Sequence, residues 1–262
     1  SEATMVNIVN AGLMNAGKSS LFNSLVNQKN LFEVQDVPTT IVCKTFELFE
    51  GVHIIDSPGI EARESDTDEA YRAYNSADMI LFVHNSSIGE LHASELEAIN
   101  AIKQTFPHVD DFWKRFCLVL SRADAKEETE IEKIKNKMKK DIEKNCEGKE
   151  YPLFVTSSVR YWKGIEQNQP VFIEQSGIVN LKNFIQKYSL ELKAEAIQFR
   201  SKRLEEARSK SIQERMELKR RTAEIVQQKR ISHAKRVEKV QADLSQIQNA
   251  AKCLWDNCRD LA

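Results

Sequence analysis

Short apolar runs and helix-spaced runs alternate along the first two thirds of the chain. Met5–Ala11 reads as a buried strand, and Lys18–Asn27 as the first helix. Residues 28–40 lack a clear period and contain Pro38, which predicts a loop. Ile41–Leu48 alternates sides and reads as a second strand. Glu50-Gly51 turns it into a third, Val52–Ile55, ending at Asp56. So short a turn makes these two strands antiparallel neighbours. Asp78–His84 is wholly apolar at its centre and predicts another buried strand; Leu91–Phe106 has a helical face through Leu91, Leu96, Ile99 and Ile102. Phe116–Leu120 is a further strand, Glu127–Asn145 a charged helix, and Tyr151–Thr156 the last strand. Val159–Gly177 reads as a polar connection holding Tyr161, Trp162, Pro170 and Phe172, either packed on the body as an insertion or free as a partner-binding flap.

Strands alternating with helices of this length predict an α/β fold, a mostly parallel sheet covered by helices on both faces. Beyond Gly177 there is no glycine or proline, and Lys, Glu, Arg, Ala, Gln and Leu dominate. That composition predicts a long α-helical extension, either one helix or a hairpin of two. Val237, Val240, Leu244, Ile247, Ala251 and Leu254 step by three and four, a seam of the coiled-coil type. Ile197, Leu204, Ile212 and Met216 form a weaker stripe upstream. The expected division is a body over residues 1–190 and a helical extension over 191–262.

Charge sharpens this division. Residues 1–186 carry 20 Lys+Arg against 28 Asp+Glu, a net of −8; residues 187–262 carry 18 against 11, a net of +7. A basic tail on an acidic body favours an anionic partner for the tail, such as an anionic membrane or RNA; the rival is a merely solvated helix face. The five cysteines are scattered with no zinc-type or disulfide spacing, which fits a reducing, cytoplasmic compartment. No apolar run reaches the ~18–20 residues that span a bilayer, so any membrane contact is expected to be peripheral. Ser1–Thr4, ahead of Met5, reads as a cloning remnant.

The chemistry starts at Gly12-Leu13-Met14-Asn15-Ala16-Gly17-Lys18-Ser19-Ser20, the GxxxxGK[ST] pattern between a strand and a helix. Glycines let the loop curl, so that the N–H groups of Asn15, Ala16, Gly17, Lys18, Ser19 and Ser20 point inward at phosphate oxygens. The following helix adds its positive end. Lys18 can then reach the β- and γ-phosphates, and the Ser19 hydroxyl can ligate Mg²⁺. Asp56-Ser57-Pro58-Gly59 leaves a strand at the same sheet edge. There Asp56 can hold Mg²⁺ through water, and the Gly59 N–H can touch a γ-phosphate oxygen.

With Thr39-Thr40 between them, these two motifs resemble those of translation-factor-type P-loop GTPases, the branch that includes the Era and TrmE proteins and the dynamin-like proteins. The likeness covers residues 5 to about 190 and implies a G domain using GTP/GDP and Mg²⁺. It also implies that Thr40, or its neighbour Thr39, ligates Mg²⁺ when GTP is bound. Family members carry Asn-Lys-x-Asp after the fifth strand; here stands Ser121-Arg122-Ala123-Asp124. Asp124 keeps the carboxylate that accepts from guanine, and Arg122 can lie on the base. Ser121 replaces an asparagine that braces neighbouring loops, which predicts reduced guanine selectivity; Asp124 could instead be an N-cap of the charged helix. Thr156-Ser157-Ser158 resembles the family's last motif, making Ser157 and Ser158 candidates for the base site.

Ile60 stands where Ras-like enzymes place a water-orienting glutamine. The resemblance therefore implies slow basal hydrolysis by Lys18, Thr40, Gly59 and Asn15. Asn15 matches the asparagine that in potassium-activated relatives helps to ligate K⁺, with catalysis triggered in a G-domain homodimer; alternatively it stabilises the loop's own turn. The reading that weighs most is a bacterial dynamin-like GTPase whose helical segment meets a membrane or a partner helix. An Era/TrmE-like GTPase acting on RNA or ribosome assembly comes second. Third is a nucleotide-gated assembly module with incidental hydrolysis.

Overall fold

A computed structural model describes residues 5–32, 43–58 and 64–259, without the side chains of 64–69 and 254–259. Thr39, Thr40, Gly59 and Ile60 therefore lie outside the described residues, as does the Leu254 side chain at the end of the seam.

Six strands form one sheet in the order β2-β3-β1-β4-β5-β6. They are β1 (Val6–Ala11), β2 (Lys44–Phe49), β3 (Val52–Asp56), β4 (Met79–Asn85), β5 (Phe116–Ser121) and β6 (Leu153–Val155). Only β2 runs antiparallel, joined to β3 through the Glu50-Gly51 turn. The remaining pairs, β1 with β3 and β4, and β5 with β4 and β6, are parallel. Their continuous apolar runs follow from burial on both faces, because alternate residues of one strand enter different cores. Val9 and Ala11 of β1, with Phe82 of β4 and Leu118 of β5, pack on one face among Tyr74, Ile99, Met138 and Ile142. Ile8, Leu81 and Val119 pack on the other among Leu21, Phe22, Leu25, Ile178 and Leu181.

Helices cover both faces: α1 (Lys18–Val26), α2 (Glu64–Ser76), α3 (Ala93–Lys103), α4 (Val109–Arg115), α5 (Glu128–Cys146), α6 (Ser158–Glu166) and α7 (Pro170–Gln175). The polar connection Val159–Gly177 is thus no loose flap: α6 buries Tyr161, and Trp162 with Ile173 of α7 packs on the second core. Pro170 does not break structure there, because it occupies the first turn of α7, where its missing N–H costs nothing.

One helix, α8 (Ile178–Arg259), follows. Gly177 starts it with φ +71, and a Cβ there would lie 2.0 Å from the Val155 carbonyl oxygen, so only glycine fits. Ile178, Leu181, Ile185, Ser189, Leu192, Ala196, Phe199 and Arg203 are all buried. They step by three and four along a single face. The residues of the weaker stripe, Ile197, Leu204, Ile212 and Met216, are exposed. One compact unit ends at Leu204, and a second begins at Glu205. In the second, every described side chain except the half-buried Glu206 is exposed, and ion pairs such as Arg220–Glu224 and Arg221–Glu217 join successive turns. Such exposed pairs contribute only about 0.3–0.5 kcal/mol each. No helix among the described residues is long and apolar enough to cross a membrane.

Candidate functional site

The loop between β1 and α1 emerges at the end of β1, the strand flanked by β3 and β4. Gly12 has φ +138 and sits so close to β4 that a Cβ would lie 2.3 Å from the Val83 carbonyl oxygen. Any other residue would push the loop off the sheet edge. Asn15 (φ 62) and Gly17 (φ 90) both take left-handed conformations, which curl the backbone inward. No side chain caps α1, so its first N–H groups remain for an anion at that end.

Lys18 is buried, and its Nζ donates to the carbonyl oxygens of Gly12 (3.2 Å) and Leu13 (2.8 Å). Burial lowers its pKa to about 8, against the opposing pull of the Asp56 carboxylate. Asp56 ends β3 beside it. Its Oδ2 accepts from Ser19 Oγ (2.8 Å) and its Oδ1 from the amide Nδ2 of Asn10. Burial raises the Asp56 pKa, while the Asn10 and Ser19 hydrogen bonds and the Lys18 charge lower it. Lys18, Ser19 and Asp56 therefore lie together at this sheet edge. Ser20 lies one residue further on, its carbonyl oxygen accepting from Ser24 Oγ (3.0 Å) and Ser158 Oγ (3.1 Å). Asn15 is exposed on the loop, and Ala16 is buried.

Pattern reading absorbed Asn10 into an apolar strand. It is fully buried, and its Oδ1 accepts from the Ser57 N–H (2.7 Å) while its backbone oxygen accepts from Ser57 Oγ (2.6 Å). The available signal was an amide inside a run of buried aliphatics, where an unpartnered polar group is costly. Tyr74 of α2 was also missed; its hydroxyl lies 3.3 Å from Ser57 Oγ.

The second group of candidates gathers at the ends of β5 and β6. Ser121 closes β5, its hydroxyl 2.6 Å from the Ala16 carbonyl oxygen and 3.1 Å from that of His84. This serine thus bridges the phosphate-binding loop to the end of β4 with a shorter side chain than an amide. Arg122 follows with φ 55, exposed, and Asp124 lies on the short 3-10 turn Ala123–Ala125. The N-cap of α5 is Glu127, so Asp124 does not serve that role. One Asp124 oxygen instead accepts from Ser157 Oγ. Ser157 is buried; its hydroxyl oxygen accepts from the Arg160 N–H (3.0 Å), capping α6, and its own N–H donates to Ser176 O (2.8 Å). Ser158, through Ser20, ties this group to the start of α1 behind the glycine loop.

Residues 7–122 match the model of the 50S ribosome-binding GTPase family. An uncharacterized protein of Acinetobacter baylyi is 30% identical over 179 residues, 67% of this chain and 40% of that protein. The probable GTP-binding protein EngB of Vibrio vulnificus is 47% identical over 55 residues, 21% of this chain and 26% of EngB. The chain thus spans no more than 40% of the length of these curated relatives. A solved structure of an oligomerised bacterial dynamin pair, described as sensing and tethering membranes, aligns with a TM-score of 0.57 at 15% identity. That alignment covers 95% of this chain and 48% of the dynamin chain, and at such identity it speaks for the fold alone. Sheet order, loop geometry and family match agree: the chain carries a P-loop GTPase domain followed by a long C-terminal helix.

Proposed function

We propose that the chain is a GTP-binding, GTP-hydrolysing, dynamin-like protein. In this reading basal turnover is slow, rises when two G domains pair, and is coupled to α8 or to membrane association. The observation that carries it is the grip of α8 on the helix that follows the Asp56–Gly59 motif. Arg203 of α8 is buried, and its guanidinium donates to Tyr74 O (3.0 Å) and Ala77 O (3.1 Å) at the end of α2. It also donates to Thr105 O (2.9 Å) and Thr105 Oγ1 (2.8 Å) beyond α3. One turn earlier, Arg200 Nε pairs with the buried Asp78 carboxylate (3.0 and 3.2 Å). Arg203 thus holds the negative, carbonyl-bearing ends of α2 and α3, while Arg200 holds a carboxylate beside them. Since Tyr74 also touches Ser57, a nucleotide that displaces the Asp56–Gly59 loop pulls on the turn that α8 holds.

The oxygens of Ser19 and Asp56, 2.8 Å apart beside Lys18, suit a hard cation such as Mg²⁺. When bound there with nucleotide, Mg²⁺ neutralises charge on the phosphate oxygens. Lys18 would hold the β- and γ-phosphates, and the loop N–H groups would orient them. Thr40 and Gly59 would complete the γ-phosphate contacts, and Asn15 would share a K⁺ ion with the phosphates. At the base end Asp124 would accept from guanine, Arg122 would cover the ring, and Ser157 and Ser158 would line the base. These residues position and neutralise; none of them is needed as a strong base.

The second reading, an Era/TrmE-like GTPase acting on RNA or ribosome assembly, is favoured by the family match and the EngB similarity. The third is a nucleotide-gated assembly module. Sedimentation with anionic vesicles and binding to RNA, each with GTP, GDP or no nucleotide, separates the three. The dynamin-like reading predicts GTP-dependent sedimentation with vesicles and no RNA retention. RNA binding without vesicle binding contradicts it in favour of the second reading, and inertness in both assays favours the third.

A further inference from the structure

The hydrogen-bonded pairing of β1 with β3 runs from Val6–Val52 to Val9–Ile55 and stops one residue short of the chemistry. At the next position the Asn10 side chain takes over from the backbone ladder. Both faces of its amide are committed. Oδ1 accepts from the Ser57 N–H, so Nδ2 faces Asp56 Oδ1 and donates to it. The reverse orientation would set oxygen against a carboxylate and N–H against N–H, so the hydrogen-bond network itself selects the observed amide. Asn10 also shares the side of β1 that carries Ile8, the side packed by α1, where Ser19 lies.

We propose that Asn10 is a positioning residue for the cation-binding carboxylate: it fixes the rotation of the Asp56 side chain so that one oxygen stays directed at Ser19. A carboxylate at a strand end turns easily about its last bond, since that torsion is broad. Held by Asn10 at Oδ1 and by Ser19 at Oδ2, it has one orientation, set before any cation arrives. The same amide anchors Ser57, so the strand end and its carboxylate move as one piece. The proposal rests on the reading of Asp56 as the metal-side carboxylate, and the test separates the two.

The test measures Mn²⁺ affinity of the protein–GDP complex by electron paramagnetic resonance, and GDP affinity in EDTA, for the unaltered chain, Asn10→Leu, Asn10→Ser and Asp56→Ala. Leucine keeps the branched outline of asparagine without its hydrogen-bonding atoms; serine keeps the site polar but is too short to reach Asp56, so either variant suffices if the other misfolds. Both Asn10 variants are expected to lower Mn²⁺ affinity about tenfold, the share of one charge-assisted hydrogen bond, while GDP affinity in EDTA stays within about twofold. Unchanged Mn²⁺ affinity in the Asn10 variants, with a loss in Asp56→Ala, overturns the proposal and leaves the Asp56 reading intact. Parallel losses of Mn²⁺ and metal-free GDP affinity also overturn it, because Asn10 would then only hold the fold. If Asp56→Ala itself leaves Mn²⁺ affinity unchanged, the Asp56 reading fails, and the proposal with it.

Discussion

The two ends of the proposed nucleotide site are built on different terms. At the phosphate end the backbone does most of the work: left-handed loop residues, an uncapped helix start, and a lysine held by two carbonyl oxygens. Only glycine fits at Gly12, and the loop that follows brings the Ser19 hydroxyl to Asp56. At the proposed base end side chains carry the structure, and side chains can be exchanged. Ser121 reaches the Ala16 carbonyl oxygen with a hydroxyl, and Ser157 holds Asp124. The phosphate end tolerates little change in sequence, whereas the base end can keep its connections with different residues.

That contrast orders the expected effects of substitution. Lys18→Ala should have the largest. Each of two lost charge-assisted bonds to phosphate is worth about 1.5–3 kcal/mol, so GDP affinity by calorimetry should fall at least about 100-fold. A loss below about tenfold would mean that the backbone alone binds the phosphates. Asp124→Ala should weaken GDP about 30-fold while leaving any ADP binding within about twofold, because only guanine donates to that carboxylate. Equal losses for both nucleotides would remove Asp124 from base recognition.

A smaller effect separates the ends by pH. Lys18 titrates near 8 in the free domain, because burial disfavours its charge. Phosphate restores that charge, so binding takes up a proton above this pH. GDP affinity should be flat below about pH 8 and fall by up to about tenfold per unit above it. Lys18→Arg should flatten the profile, since guanidinium stays charged there; an unchanged slope would assign the titration elsewhere. The smallest effect is expected at Ser121→Ala, where one neutral hydrogen bond of about 1 kcal/mol is lost and GDP affinity drops about fivefold. No change would mean that the hydroxyl braces nothing that binding requires.

Legibility in the sequence follows the same division. The strands were readable because parallel pairing buries both faces, which leaves runs such as Met79–Val83 without a polar residue. The phosphate loop was readable because its spacing is a backbone constraint. Four helices were not. In α2 the described side chains that pack on the core are Ala70, Tyr71, Ala73 and Tyr74, within a polar segment. The helix α4 has only seven residues, α6 contains Gly164, and α7 begins with Pro170. Asn10 and Tyr74 were hidden for a different reason: their roles depend on partners 47 and 17 residues away. In α8 helical propensity was plain, yet the buried face, Ile178 to Arg203, ends in an arginine whose partners are the carbonyl ends of other helices. Composition marks such a residue as surface charge; only the fold makes it a clasp.

GTP turnover against protein concentration, in K⁺ and then in Na⁺ buffer with Lys18→Ala as the blank, tests the central claim most directly. Specific activity that rises with concentration, and rises more in K⁺, is the result predicted for G domains that activate each other with a cation held at Asn15. Flat, cation-blind turnover no higher than the Lys18→Ala blank would contradict it.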